Sequence, residues 1–315
     1  MIQVYKSATD TDPAVAGIIE SPAEGAWVRL TAPSEEELVQ VAGSCALPLH
    51  FLKAALDEEE RPRIDTEDAV ILIVLDIPTM YERDGIRTLA TLPLGIVISE
   101  TMIVTVCSTA SPIIDDFVAG KVRHFHTLKK TRFLFQIFYR NASAYLVHLR
   151  QIERMMSGIE VELRRSMKNE ELFRMMELEK SLIYFSTSLK SNEAVLERIQ
   201  KIKALKMSEE DTEFLEDVII ENRQAMEMAQ IYLHILNGMT GAFATIVSNN
   251  LSTVLKFLTS ITIIIAIPTM IASFYGMNVA DLPLSQAPLA FETIFMFSVV
   301  ISVLLGLLMW RRKLF

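Results

Sequence analysis

The sequence predicts an α+β membrane protein: an N-terminal cytoplasmic α/β domain, a long helical bundle and stalk, and two C-terminal transmembrane helices. Three observations carry this reading. The chain closes on two uncharged stretches, 24 residues from Phe257 to Ala280 and 18 from Thr293 to Trp310. Each is near the ~20 apolar residues that cross a ~30 Å hydrocarbon layer as a helix. Eight prolines fall at or before Pro112 and none between Pro112 and Pro268. The hydrophobic period changes with them, from short β-rich runs to helical spacing near Thr131. The expected divisions are residues 1–125 for the α/β domain, 126–250 for the helical domain and stalk, and 251–315 for the transmembrane domain. Within the last, the spans fall at about 252–275 and 291–310, with an outer loop at 276–290.

In the first region, Ala26–Thr31, Ala69–Ile77 and Gly95–Cys107 are rich in Val, Ile and Leu and read as strands. A helix between them is signalled at Ser34, where Glu37 three residues on completes a capping box ahead of an apolar pattern. From Thr131, apolar residues Leu134, Ile137, Tyr145, Leu149, Ile152, Met155 and Ile159 keep to one helical face. Breaks are expected near Met167–Asn169 and at Ser191. From about Thr212 to Phe274 only Gly238 and Gly241 interrupt the pattern, and a helix tolerates each at ~1 kcal/mol. A helix of that length, at ~1.5 Å per residue, exceeds what a bilayer takes.

Arg311, Arg312 and Lys313 follow the second span, whereas Val279–Glu292 holds no Lys or Arg. The positive-inside rule then puts the C-terminus in the cytoplasm, and two spans put the N-terminal part there too. The opening MIQVYKSATD has neither the basic start nor the apolar run of a signal peptide, which agrees. Cys45 and Cys107 read as core residues in a reducing compartment.

A net charge of −9 disfavours nucleic acid, whose phosphates call for a basic surface. Enzyme chemistry finds little support: there is no Gly-rich phosphate loop, no Cys-x-x-Cys and no His-Glu-x-x-His. His50, His124, His126, His148 and His234 are scattered, and only His124 and His126 are close neighbours; their two-residue spacing could serve a metal in a strand, although surface histidines are the commoner case. Asp57–Glu60 could bind a cation and reads more simply as a solvated turn.

The chemistry concentrates on the helix entering the membrane. Thr245, Ser248, Ser252, Leu255, Thr259, Thr262, Ala266, Thr269 and Ser273 step alternately by three and four, so they share one stripe. Apart from Leu255 the stripe is small or polar, while its neighbours Ile261, Ile263, Ile264, Ile265 and Ile267 are lipid-like. Small and hydroxyl residues serve a helix–helix contact, and they equally serve the wall of a water-filled path. Two spans cannot enclose a path, so the second reading requires several copies around an axis. Further back, Ser208–Glu221 holds seven acidic residues and no basic one, a pattern that usually marks a solvated helix face.

At the end of the first span stands Tyr275-Gly276-Met277-Asn278, with Pro268-Thr269 and Ala272-Ser273 upstream and a basic C-terminus after a second span. This resembles the CorA family of magnesium transport proteins. The likeness extends through Trp27-Val28-Arg29-Leu30-Thr31-Ala32-Pro33-Ser34-Glu35-Glu36, Leu56-Asp57-Glu58-Glu59-Glu60-Arg61-Pro62-Arg63, Pro93-Leu94-Gly95-Ile96 and Phe214-Leu215-Glu216-Asp217-Val218. It covers essentially the whole chain.

The resemblance implies a homopentameric funnel in the cell membrane, without enzyme activity, that carries Mg²⁺ and often Co²⁺ or Ni²⁺. A related branch is associated with Zn²⁺, and Met277 favours the magnesium branch. Gly276, Met277 and Asn278 would form the outer selectivity motif. Five carboxamides would offer neutral oxygens to the waters that Mg²⁺ gives up reluctantly, where carboxylates would hold the ion too tightly to release it. Leu255 and Leu258 fall where the family places an apolar constriction, and Ser252 where a pore asparagine is common. Ala266 departs from a position that is usually bulky. Asp217 matches a residue that helps bind a regulatory divalent ion, with Glu213, Glu216 and Glu221 as neighbours. Two rivals stand beside this reading. One is a Zn²⁺ transporter of the same architecture, separable by metal competition; the other is a membrane-anchored scaffold or receptor, which would show no ion flux.

Overall fold

A computed structural model describes residues 1–7, 17–19, 21–83, 86–165, 169–202, 205, 207–278, 282–284 and 288–312. The chain forms two compact units, Met1–Met239 and Thr240–Phe315.

The first unit is built on a seven-stranded mixed sheet. Its strands are β1 (Ile2–Lys6), β2 (Gly17–Ile18), β3 (Trp27–Thr31), β4 (Arg63–Glu67), β5 (Val70–Arg83), β6 (Ile86–Ile98) and β7 (Ile103–Cys107). They lie in the order β2-β1-β3-β7-β6-β5-β4, and only β3 and β7 run parallel. Helices α1 (Glu35–Cys45) and α2 (Leu49–Ala54) connect β3 to β4, and α3 (Pro112–Val118) follows β7. The capping box forms as expected: the Glu37 N–H donates to Ser34 Oγ at 3.2 Å and the Ser34 N–H to Glu37 Oε2 at 2.9 Å. One boundary differs from expectation. Gly95–Cys107 is not a single strand; it turns at Ser99–Met102 into an antiparallel hairpin of β6 and β7. The Met102 carbonyl accepts from the Ser99 N–H there, and the polar run Ser99-Glu100-Thr101 marks the turn between two stretches that are otherwise almost wholly apolar.

That composition follows from burial on both faces. Leu72, Val74, Val97, Val104 and Val106 pack with Leu38, Val41, Phe51 and Leu52 of α1 and α2. Their alternating neighbours Ile71, Ile73, Leu75, Ile96 and Ile103 face a second layer of helices. Gly95 sets the distance to α2: a Cβ there would lie 2.7 Å from Ala55 Cβ, too close to be accommodated. Pro78 and Pro93 sit where the β5–β6 hairpin has outrun β4 and β7, so a missing ladder donor costs least there.

The second layer consists of α4 (Lys130–Arg165), α5 (Asn169–Ile199) and the start of α6 (Glu209–Tyr275). Leu134, Ile137, Tyr145, Leu149, Ile152 and Ile159 of α4 are buried, as their spacing required. The break expected at Ser191 does not occur. The Ser191 hydroxyl donates to the Thr187 carbonyl one turn back, which satisfies it within a continuous helix. The expected break at Met167–Asn169 falls partly outside the described residues. Phe133 and Phe138 of α4, Val195 and Leu196 of α5 and Leu215 and Val218 of α6 join one cluster with the sheet. Position 125 therefore marks a change of secondary structure and not a seam between compact units. Cys45 and Cys107 are free and buried, and burial pushes both thiols up, which suits inert core residues.

Asp76 ties strand to helices. Its carbonyl accepts from Asn141 and Asn192 amides at 2.9 and 2.8 Å and from the Tyr145 hydroxyl at 3.2 Å. Its carboxylate accepts from the Ser188 hydroxyl at 2.6 Å. Burial pushes the Asp76 carboxyl above its ordinary 3.8, with the Ser188 hydrogen bond opposing. A raised carboxyl favours the folded chain while protonated, so that contribution is full below 3.8 and is lost as pH rises through the higher folded value. Asp76→Asn keeps an acceptor for Ser188 without the charge. Thermal unfolding in detergent should show the variant gaining on wild type as pH rises above 3.8, then levelling off. A difference independent of pH would contradict the assignment.

Candidate functional site: a polar helix face in the membrane segment

Helix α6 runs from Glu209 to Tyr275 without interruption, through Gly238, Gly241 and Pro268. The proline poses a local problem, because it lacks the N–H that would bond the carbonyl of Ile264 one turn back. In hydrocarbon no water replaces it. The Ser302 hydroxyl of α7 (Ala290–Arg311) lies 3.4 Å from that Ile264 oxygen, and 2.9 Å from the Ser298 carbonyl of its own helix. Small residues let α7 come this close. Ser298, Ser302 and Gly306 recur every fourth residue, and a Cβ built at Gly306 would stand 3.6 Å from Ile264 Cδ1. Ser260 and Ser298 are each at most 5% exposed. Sequence reasoning missed this second small-residue face on α7, although its four-residue spacing was there to be read.

Residue geometry then decides which side of α6 stays bare. Ser260 and Ile264 are two residues on either side of Thr262, about 200° around the helix from it. With α7 seated there, Thr245, Ser248, Ser252, Leu255, Leu258, Thr259, Thr262, Ala266, Thr269 and Ser273 are all exposed in the single chain. Leu255 and Leu258 are 52% and 58% exposed. An open groove runs along Thr262, Ala266, Thr269 and Ser273, walled by Ile261, Ile265 and Met270. Thr262 and Thr269 each donate their hydroxyl proton to a carbonyl of their own helix, Leu258 and Ile265, at 2.9 Å. Their oxygen lone pairs are thereby turned outward, an arrangement that suits cations and the donor protons of water. The two apolar helices are also hardly buried: 6% and 11% of their most apolar stretches lie inside the chain. Core helices of a soluble protein would be covered.

The helix stops in a tightened turn and not in a left-handed cap. The Gly276 N–H bonds the Ala272 carbonyl at 3.0 Å and the Met277 N–H the Phe274 carbonyl at 3.3 Å. Gly276 has no positive φ, and a Cβ there would lie 3.3 Å from the Ala272 oxygen of the preceding turn, a tight contact. The Tyr275 hydroxyl donates to the Pro283 carbonyl at 3.0 Å, holding that part of the following loop to the helix end. Met277 and Asn278 are exposed there.

At the other end of α6, local chemistry accounts for several acidic residues. Glu209, Glu210 and Asp211 occupy the first turn, where the helix dipole favours them. Asp211 and Ser208 cap each other at 3.2 Å. Glu221 is partly buried and accepts from the Ser143 hydroxyl at 3.3 Å. Glu213, Glu216 and Asp217 are exposed. The chain does not bring these carboxylates into a cage: among the described residues no three His, Cys, Asp or Glu side chains converge on a metal position. Nor do His124 and His126 lie on a strand. They sit in the loop before α4, where His126 Nδ1 accepts from the Leu128 N–H. Asp57–Glu60 forms a turn that Asp57 closes onto the Glu59 N–H, with Glu60 paired to Arg63.

The sequence model of the family described as CorA-like Mg²⁺ transporter protein matches residues 22–312. The cobalt/magnesium transport protein CorA of Methanocaldococcus jannaschii is 26% identical, over 99% of this chain and 98% of its own. The complete structure of the CorA magnesium transporter from that organism superposes with a TM-score of 0.84 at 24% identity, again over 99% and 98% of the two chains. The cytoplasmic domain of ZntB from Vibrio parahaemolyticus covers 79% of this chain and 96% of its own, at 13% identity and a TM-score of 0.58. The last two likenesses show the fold.

The α6–α7 contact makes a graded prediction. Gly306→Ala should be tolerated, since its Cβ meets Ile264 at an ordinary distance. Gly306→Leu should cost about 1–3 kcal/mol by overpacking, read as a lower unfolding temperature in detergent. Equal stability of the two variants would show that the helices do not pack through this face.

Proposed function

Since this chain belongs to the family of CorA-like Mg²⁺ transporter proteins, we propose that it conducts Mg²⁺, and Co²⁺ with it, into the cell through a path shared by five copies. The observation that carries this is the hydroxyl-bearing face of α6, left uncovered by α7 and ending at Asn278. Around a fivefold axis that face would line the path, with Thr262 and Thr269 offering oxygen to a hydrated ion. Five Asn278 amides would meet the ion at the outer end and hold its waters without stripping them. Leu255 and Leu258 would form an apolar ring that closes by excluding water. Inward movement is favourable by ~2.3 kcal/mol per charge per 100 mV, so transport needs no nucleotide hydrolysis. Both termini would lie in the cytoplasm.

The exposed carboxylates of Glu213, Glu216 and Asp217 would serve as the sensor. A single chain forms no cage from them, so divalent ions would bind between subunits, each contributing part of the ligand set. Bound ions would relieve repulsion between like charges and favour a closed, symmetric ring. When cytoplasmic Mg²⁺ falls, the ions would leave and the ring would loosen.

Two variants test these roles separately. Asn278→Ala should reduce Mg²⁺ uptake in proteoliposomes by about tenfold or more while the oligomer stays assembled by light scattering. Normal uptake by an assembled variant would remove the amide ring from the mechanism, and competition by Zn²⁺ in the same assay would show whether that ion is carried. Asp217→Lys should put a fixed positive charge where the sensor ion binds. The cytoplasmic part of the variant should then resist protease with or without Mg²⁺, and flux should fall. If wild type gains no protection from Mg²⁺, these carboxylates are not the sensor.

A further inference from the structure

A cavity of about 240 Å³ opens between the loop after α3, the first turns of α4 and the beginning of α6. Its walls carry Lys121, Arg123, Arg132 and Arg140 in a chain whose net charge is −9. Two carboxylates answer these four cations. Asp116 pairs with Lys121 at 3.0 Å and also with Arg140, and Asp211 lies 3.7 Å from Arg132. Arg123 is exposed and has no ion pair among the described residues. The cavity is therefore positive on balance, which excludes the divalent cargo and calls for an anion.

Two further features narrow the anion. Arg132 is stacked 4.0 Å over the Phe214 ring, and Tyr139 lies 5.7 Å from that ring while remaining 36% exposed. An aromatic surface thus adjoins the cations. Gln136 supplies the second feature. It is only 7% exposed, and its Nε2 donates to the Arg123 carbonyl at 3.1 Å, which ties the backbone that carries Arg123 to α4. Inorganic phosphate would satisfy the cations but not the ring surface.

We propose that the cavity binds a nucleoside phosphate. The phosphate groups lie on the Arg123 and Lys121 side, where guanidinium and ammonium donors match their oxygens. The base stacks on the open face of Tyr139. Nothing in this assignment depends on the transport path or on the carboxylate sensor.

Calorimetry on the full chain in detergent, in magnesium-free buffer containing a chelator, keeps nucleotide–metal chelation from registering as binding. ADP should bind saturably and more weakly as salt rises. Pyrophosphate should bind about tenfold more weakly than ADP, and adenosine should give no measurable heat. Arg123→Glu, which breaks no ion pair, should weaken ADP by about tenfold or more. Tyr139→Ala should weaken ADP and leave pyrophosphate unchanged. The proposal is overturned if ADP shows no saturable binding up to millimolar concentration, or if Arg123→Glu binds it as wild type does. Equal affinity for pyrophosphate and ADP would also overturn it, reducing the cavity to a general oxyanion patch.

Discussion

The constraint on which the C-terminal unit depends is that hydrocarbon offers a backbone no water. Every carbonyl and N–H there must find a partner within the protein. A continuous helix meets that demand everywhere except at Pro268, and the carbonyl of Ile264 is what the proline leaves without its usual donor. Ser302 lies within reach of it. The small residues Ser298 and Gly306 line the same side of α7, so the helix that carries the remedy can also approach closely. Once α7 occupies that side of α6, the hydroxyl-bearing side has no covering partner among the described residues. Exposed hydroxyls at Thr262 and Thr269 have in turn given their protons to their own helix. A face of oxygen acceptors is thus the residue of a packing problem solved on the opposite face.

The N-terminal unit rests on a different economy. Its sheet is covered on both sides, so the apolar residues of its central strands alternate in which cluster they join. Such strands carry few of the hydrogen-bonding side chains that would fix them to their helices. Arg29 of β3 pairs with Asp115 of α3, and Asp76 gathers Asn141, Tyr145, Ser188 and Asn192 from two helices at one point of β5. Buried polar networks of this kind specify one arrangement where apolar contacts alone would tolerate several.

Local signals were legible in the sequence and partner choices were not. The Ser34–Glu37 capping box, the uncharged spans and the long final helix all depend on neighbours within a few residues, and all are present. The hairpin at Ser99–Met102 had a sign in the polar run Ser99-Glu100-Thr101, but strands buried on both faces offer no period whose break would confirm it. Ser191 suggested a break because serine competes for backbone bonds, yet one turn of helix supplies such a bond. The polar stripe from Thr245 to Ser273 could be read from spacing, but its exposure could not, since that depends on where α7 packs. The acidic run shows the same limit from the other side. Spacing gathered Glu213, Glu216, Asp217 and Glu221, while the fold gives Glu221 to Ser143 and leaves the others apart.

The chain has two tryptophans, and the fold places one in each unit. Trp27 is fully buried among Tyr5, Phe117, Phe125 and Phe133, with its indole N–H donating to Thr105 at 2.9 Å. Trp310 ends α7 next to Arg311 and is 70% exposed in the single chain, a position that suits an indole at the membrane–water boundary. Their fluorescence is therefore separable. A quencher attached to lipid acyl chains darkens the emission of one and spares the other, and a rise in water-soluble quenching at shorter wavelengths signals loosening of the sheet core. The protein carries its own two-channel optical reporter, with no label to attach.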